Sequence, residues 1–319
     1  MLSVSSIDIV AGKALLVKSL SLGLSPGTVT AVVGPNGAGK TSLLKALSGE
    51  LKPTSGSVQL QGKDLSHWSV QERARMIAVL PQQSLLNFSF QVGEVVALGR
   101  HPHHSGARRD AQIVEQALAA VDAVTLKQRD YTTLSGGEKQ RVHLARVLAQ
   151  LWQEEHGRER YLLLDEPTAA LDLAHQHMIL RAARAMAEDG VGVMVILHDL
   201  NLAAHYADSV IILDNGTLVA SGDAHSVLTK TNIEQVFSIA VTLIPHPQTQ
   251  RPLIIYREEP SANTASEGAG DNAAGSTTVD MTANTNANTN ANTNANTTAN
   301  TTASATDSTT DSATMSTKQ

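Results

Sequence analysis

The octapeptide GPNGAGKT at residues 34–41 constrains this chain more than any other stretch of it. It lies between an apolar run, residues 29–33, and a helical-looking segment, residues 42–48. Gly34, Gly37 and Gly39 let the backbone curl so that successive N–H groups point into one concavity, and a helix N-terminus closes it. Such a concavity holds phosphate. Pro35, Asn36 and Ala38 complete the loop, and Lys40 is placed to reach β- and γ-phosphates. Thr41, with Ser42 behind it, is placed to put a hydroxyl on Mg²⁺. Strand, glycine loop and helix in that order predict a nucleoside triphosphate site on an α/β sheet.

A second constellation follows far downstream, in YLLLDEP at residues 161–167. An apolar strand that delivers two carboxylates at its C-terminal end puts them where open α/β sheets bind ligands. Asp165 is then placed in the metal shell, and Glu166 beside it to polarise a water. Nearly continuous apolar runs at residues 161–164, 193–197 and 210–213 read as parallel strands covered on both faces. Asp214-Asn215-Gly216 reads as a hairpin turn into residues 217–220. From residue 70 to about 151 the pattern reads as helical, with a further helix at about 174–188.

Between the two constellations lies LSGGEKQRVHLARVLAQL, residues 134–151. Ser135, Gly136 and Gly137 open a helix whose Val142, Ala145 and Leu148 recur at helical spacing. Small residues and free N–H groups at its start make a second anion site. LSGGE, ending at Glu138, resembles the signature sequence of the ATP-binding-cassette family. Gln82 in VLPQQ matches the family's Q-loop glutamine, with Gln83 as its neighbour. Leu171-Asp172 matches the D-loop, and His198 in VILHDL matches the switch histidine. The resemblance runs from residue 1 to about 258.

The resemblance implies a P-loop NTPase with a mostly parallel core sheet, an antiparallel β subdomain and a helical insertion, about residues 83–152, that carries the signature. It implies a head-to-tail homodimer with two ATP, in which Ser135, Gly136, Gly137 and Glu138 of one chain face the γ-phosphate held by residues 34–41 of the other. Asp172 joins those nucleotide-facing residues. Glu166 becomes the general base, His198 contacts the γ-phosphate, and Gln82 senses the metal held by Thr41 and Asp165. The family's adenine-stacking aromatic is replaced here by Val10, which leaves selectivity for ATP over GTP open.

Exporters of the family carry membrane helices in the same chain, and no run here reaches the roughly 18 apolar residues that a span requires. A single phosphate loop and the lack of a heptad run set aside the ribosomal and DNA-repair members. The remaining expectation is an importer subunit at the cytoplasmic face of the inner membrane, peripheral through a polytopic permease dimer. That permease would be served by a periplasmic substrate-binding protein. The segment 82–100, with Phe88, Phe90 and Val92, is the expected docking region. GEVVALGRHPHH at 93–104 resembles the iron-chelate and cobalamin branch. The stretch around 148–177, with its polar insert 153–160, resembles haemin-import ATPases most. Ferric-siderophore and vitamin B12 import are the alternatives, and a soluble non-transport ATPase the remote one.

Composition sets the remaining bounds. The chain has 319 residues, no cysteine and a formal net charge of −6. Thiolate metal sites are thereby excluded. Residues 260–319, built on TANTNANTNANTNANTTANTT, contain no aromatic and cannot bury enough apolar surface to offset their chain entropy. They read as a disordered tail behind a domain at 1–259. The tail's five carboxylates against Lys318 carry −4 of the charge. The domain is thus nearly neutral, without the basic stripe of a nucleic-acid partner. His101, His103 and His104, and His175 and His177, read as solvated histidines rather than ligands, and Trp152 as a core anchor.

Overall fold

A computed structural model describes residues 1–82, 89–152, 158–169 and 171–257. Strands β1 (Leu2–Ala11) and β2 (Ala14–Leu24) form an antiparallel ribbon, turned by Gly12 at φ 62°. Strand β3 (Val29–Val33), buried at every position, leads through the phosphate loop into α1 (Lys40–Ser48). Strands β4 (Ser55–Leu60) and β5 (Lys63–Asp64) return to the ribbon. Helix α2 (Val70–Met76), opened by a Ser69–Glu72 capping box, runs straight into β6 (Ile77–Leu80). A helical block follows, α3 (Val92–Ala97), α4 (Ala107–Ala120) and α5 (Gly136–Leu151). The chain re-enters the sheet through β7 (Tyr161–Leu164), α6 (Leu173–Glu188), β8 (Gly192–Ile196), α7 (Leu200–Tyr206) and β9 (Ser209–Asp214). It ends in β10 (Thr217–Gly222), α8 (Ala224–Val227), α9 (Lys230–Phe237) and the hairpin β11 (Val241–Pro245) and β12 (Pro252–Tyr256).

The main sheet has the order β10-β9-β3-β8-β7-β6, with β10 antiparallel to β9 and the other five strands parallel to one another. The antiparallel sheet has the order β2-β1-β4-β5. Side chains of a strand alternate between faces, and here the two faces feed two separate cores. Val29, Ala31, Val33, Leu162, Leu164, Val193 and Val195 enter a core with α3–α6. Val32, Leu163, Met194, Ile196 and Leu213 enter the other, with α1 and the antiparallel sheet. The expected fold class is therefore the observed one: parallel core, antiparallel subdomain and a helical block carrying residues 135–138 at the start of α5.

One local expectation changes. Residues 77–80 are a strand and not the end of a helical stretch, because Ile77–Leu80 pairs in parallel register with Tyr161–Leu164. A four-residue run that begins where a helix stops carries no period of its own. The hairpin at 241–256 and helices α7–α9 had no sequence reading. The Asn215-Gly216 turn is as expected, with φ of 47° and 76°, the paired positive values of a tight hairpin turn. Trp152 packs against the helical core as expected. The polar insert at 153–157, Phe88, Gln83 and the tail lie outside the described residues.

Candidate functional site

The strand order lines up the chemistry. β3 ends in the phosphate loop, β8 in His198, β7 in Asp165 and Glu166, and β6 in Gln82; in the sheet these strands stand side by side. Every one of those residues lies at a strand's C-terminal end, where parallel sheets place ligands.

The loop is shaped by glycines that nothing else could replace. A Cβ on Gly34 (φ 153°) would stand 2.1 Å from the Leu213 carbonyl oxygen, and one on Gly39 (φ 93°) 2.4 Å from that of Leu16. Leu16 escaped the sequence reading. It lines a cavity of about 180 Å³ with Asn36, Gly37, Ala38, Gly39, Lys40, Thr41, Ser42 and Glu166. Only its position on a strand beside the loop reveals it, and no local motif marks that. Val10 stands on β1 opposite Leu15, 43% exposed, its N–H donating to Thr54 Oγ1 at 3.2 Å; it does not line that cavity.

Lys40 is buried, and its Nζ donates to the carbonyl oxygens of Gly34 and Pro35, both at 2.8 Å. Burial pushes the ammonium below its ordinary pKa, while Glu166 and Asp165 pull the other way. The Thr41 hydroxyl donates to Asp165 Oδ1 at 3.2 Å. Asp165 is 3% exposed. Burial pushes its carboxyl above the usual range against the Thr41 bond, and Glu166 adds to the rise. A hydroxyl and a buried carboxylate side by side suit Mg²⁺, which takes one or two protein oxygens and completes its octahedron with phosphate and water. No group of three or more His, Asp or Glu among the described residues could hold a metal alone.

Glu166 is held at both oxygens. Gln82 Nε2 donates to Oε2 at 2.6 Å, and His198 Nε2 lies 2.6 Å from Oε1. The backbone of Glu166 has φ 49°, a left-handed conformation that few non-glycine residues adopt. Such strain persists only where surroundings fix it. The result is a carboxylate presented to the loop cavity. Gln82 thus meets Glu166 and shares no hydrogen bond with Asp165.

The start of α5 stands apart from this cluster. Ser135 and Glu138 form a capping box: Ser135 N–H donates to Glu138 Oε2 at 2.8 Å, and Glu138 N–H to Ser135 Oγ at 3.3 Å. Glu138 also pairs with Arg129 at 3.0 Å. Its carboxylate therefore serves its own helix, and the S-x-x-E spacing is the signal that reveals this. Among the described residues, 135–138 share no hydrogen bond with 34–42. A Cβ on Gly136 would meet nothing within 4 Å, so this chain's own packing gives no reason for a glycine there. Asp172 caps α6, accepting from the His175 N–H at 2.9 Å. Two of the histidines are tied within the fold rather than simply solvated: His103 Nε2 lies 2.8 Å from the Gln150 backbone oxygen, and His177 Nδ1 2.7 Å from the Tyr206 hydroxyl; His101 and His104 are exposed, as expected.

A phosphate loop, a strand-end Asp-Glu pair, a glutamine and a histidine on that glutamate, and a helical block opening on SGG define a cassette-type nucleotide-binding ATPase domain. The chain belongs to the ABC transporter family, whose pattern matches residues 17–169. It is 54% identical over 257 residues to the hemin import ATP-binding protein HmuV of Pseudomonas entomophila, covering 81% of this chain and 100% of that one. The HmuV of Pseudomonas aeruginosa is 51% identical with the same coverage. Among solved structures, an inward-facing transporter of metal-chelate ABC type superposes with a TM-score of 0.66 at 26% identity, over 81% of this chain and 97% of that one. The dimeric cassette MJ0796 shares the fold, with a TM-score of 0.62 at 22% identity over 70% and 98%.

Proposed function

We propose that this chain is the ATP-hydrolysing subunit of an ABC importer for haemin. One observation carries the catalytic half of that reading: Glu166 faces the loop cavity with Gln82 on one oxygen and His198 on the other. The full-length likeness to hemin import proteins supports the cargo.

In this mechanism the N–H groups of residues 36–41 cradle the phosphates. Lys40 exchanges its two carbonyl partners for β- and γ-phosphate oxygens, which it meets as a partly desolvated and therefore strong charge. Thr41 and Asp165 would hold Mg²⁺, with Gln82 sensing it through Glu166. When bound, the ion neutralises phosphate charge and fixes the geometry of the leaving group. Glu166 orients a water and takes its proton, while His198 donates toward the γ-phosphate. Leu16 and Val10 supply apolar surface on the base side. The open N-terminus of α5 meets its phosphate across a head-to-tail homodimer, with Ser135, Gly136 and Gly137 as donors. Asp172 stands beside that contact and Glu138 keeps the helix start in shape. ATP then cross-links two chains, and loss of the γ-phosphate releases them.

A peripheral place under a permease dimer on the cytoplasmic face of the inner membrane follows from the importer reading, as does a periplasmic binding protein. Among the described residues no helix is long and apolar enough to cross a membrane. The test is ATP-driven uptake by the complex reconstituted with its co-purifying permease, offered haemin, a ferric siderophore or cobalamin. Haemin uptake that vanishes with Glu166→Gln is expected. Uptake of another chelate keeps the mechanism and replaces the cargo.

A further inference from the structure

Among the described residues the C-terminal hairpin has no sheet partner beyond itself, yet it is fastened to one helix at both of that helix's ends. At the N-terminal turn of α7, the Asn201 side chain pairs with the backbone of Ile254: Nδ2 donates to the Ile254 oxygen at 3.1 Å, and the Ile254 N–H donates to Oδ1 at 2.8 Å. The amide stands in for a neighbouring strand. At the other end, one guanidinium nitrogen of Arg251 donates to the carbonyl oxygens of Ala204, His205 and Ala207 at 2.9, 2.9 and 2.8 Å. These are the carbonyls that a helix C-terminus leaves without partners. The Ile254 side chain, 3% exposed, is buried in the helical core.

Helix α7 is only seven residues long, and its N-cap, Asp199, directly follows His198. A helix this short has little rigidity of its own. Its axial position and rotation, and with them the reach of His198 to Glu166, depend on what holds its ends. We infer that the hairpin 241–256 positions the switch histidine: Asn201 and Arg251 are positioning residues for ATP hydrolysis, acting through His198 and leaving nucleotide binding alone. This rests on the role proposed above for His198. Among the described residues, no hydrogen bond joins Asp165 or the phosphate loop to the hairpin.

The experiment is a double-mutant cycle on the full chain with its permease. Asn201→Ala is expected to lower kcat by about tenfold, the scale of a small misplacement of a catalytic group, with KM for ATP within about twofold. In a His198→Ala background the same change is expected to alter the residual rate by less than about twofold, since the group it positions is gone. Arg251→Lys, which keeps one charge but loses the fork, gives a second and milder test with the same pattern, should Asn201→Ala fold poorly. An equal loss in both backgrounds, or an unchanged kcat, overturns the inference. Full activity of His198→Ala alone overturns instead the role of the histidine on which it rests.

Discussion

The imidazole of His198 and the carboxylate of Glu166 stand 2.6 Å apart, Nε2 to Oε1, at the ends of neighbouring parallel strands. A carboxylate so held can take a proton without first having to find its orientation. Glu166→Gln keeps the side chain's size and one acceptor oxygen and removes the proton acceptor. Turnover is expected to fall by about 10²–10⁴-fold, the usual contribution of a general base, with ATP affinity retained. Size-exclusion chromatography with ATP and Mg²⁺ is expected to show a dimer, and a monomer there would count against the shared-site reading.

Lys40→Ala tests the loop itself. The ammonium now bonds the Gly34 and Pro35 carbonyls, and in the complex it meets phosphate. Its removal takes away a charge-assisted contact, and ATP affinity is expected to fall by at least about tenfold. Titration calorimetry reads this directly; an unchanged affinity would refute the assignment of the loop.

Gly136→Ala separates folding from assembly. No atom outside its own helix turn lies within 4 Å of the added methyl, and alanine favours a helix over glycine by about 0.8–1 kcal/mol in its interior. Thermal melting of the nucleotide-free protein is expected to stay level or rise, while ATPase activity falls at least about tenfold. Equal activity in the variant would mean that no second chain approaches this turn.

Asp208 gives the fold an acid limit. Burial works against its charge, but the Arg184 hydrogen bond and the Val29 N–H outweigh it, and the carboxyl lies below the ordinary value of 3.8. Its contribution is therefore complete above pH 3.8 and lost as pH falls through the lower folded value. Asp208→Asn is expected to lower stability by about 1–2 kcal/mol at neutral pH. Urea melts from pH 7 downward are expected to show the gap to the parent narrowing only below about pH 4. A gap constant across that range would assign the loss to packing rather than charge.

Deletion of residues 260–319 is expected to leave ATPase activity within about twofold, on the composition of the segment. A collapse in activity or solubility would place the tail within the working domain.

The chemistry-bearing strands were legible because motif and strand coincide: GPNGAGKT after Val29–Val33, and DEP after Tyr161–Leu164. Their nearly continuous apolar runs also announced their two-faced burial. Strand β6 was not legible, since it begins where α2 ends and its four residues fit either period. The hairpin β11–β12 lacks the two-residue turn that marks such elements. Glu138 was read as facing nucleotide although its spacing from Ser135 spells a capping box. Leu16 shapes the Gly39 turn through a carbonyl oxygen, and Asn201 meets Ile254 through that residue's main chain. Such contacts join distant residues without any local pattern.

The main sheet acts as a ruler. Adjacent strands lie ~4.8 Å apart, so the ends of β3 and β6 are separated by three such intervals, roughly 14 Å, with β8 and β7 between them. Loop, histidine, glutamate and glutamine are graduations on that scale, and the spacing of their strand ends across it is set by backbone pairing. Along the strands the unit is one residue, about 3.3 Å. An insertion or deletion in β6, β7 or β8 would shift one graduation by that amount and turn its neighbours to the opposite face. Length, more than composition, is thus what these strands must keep.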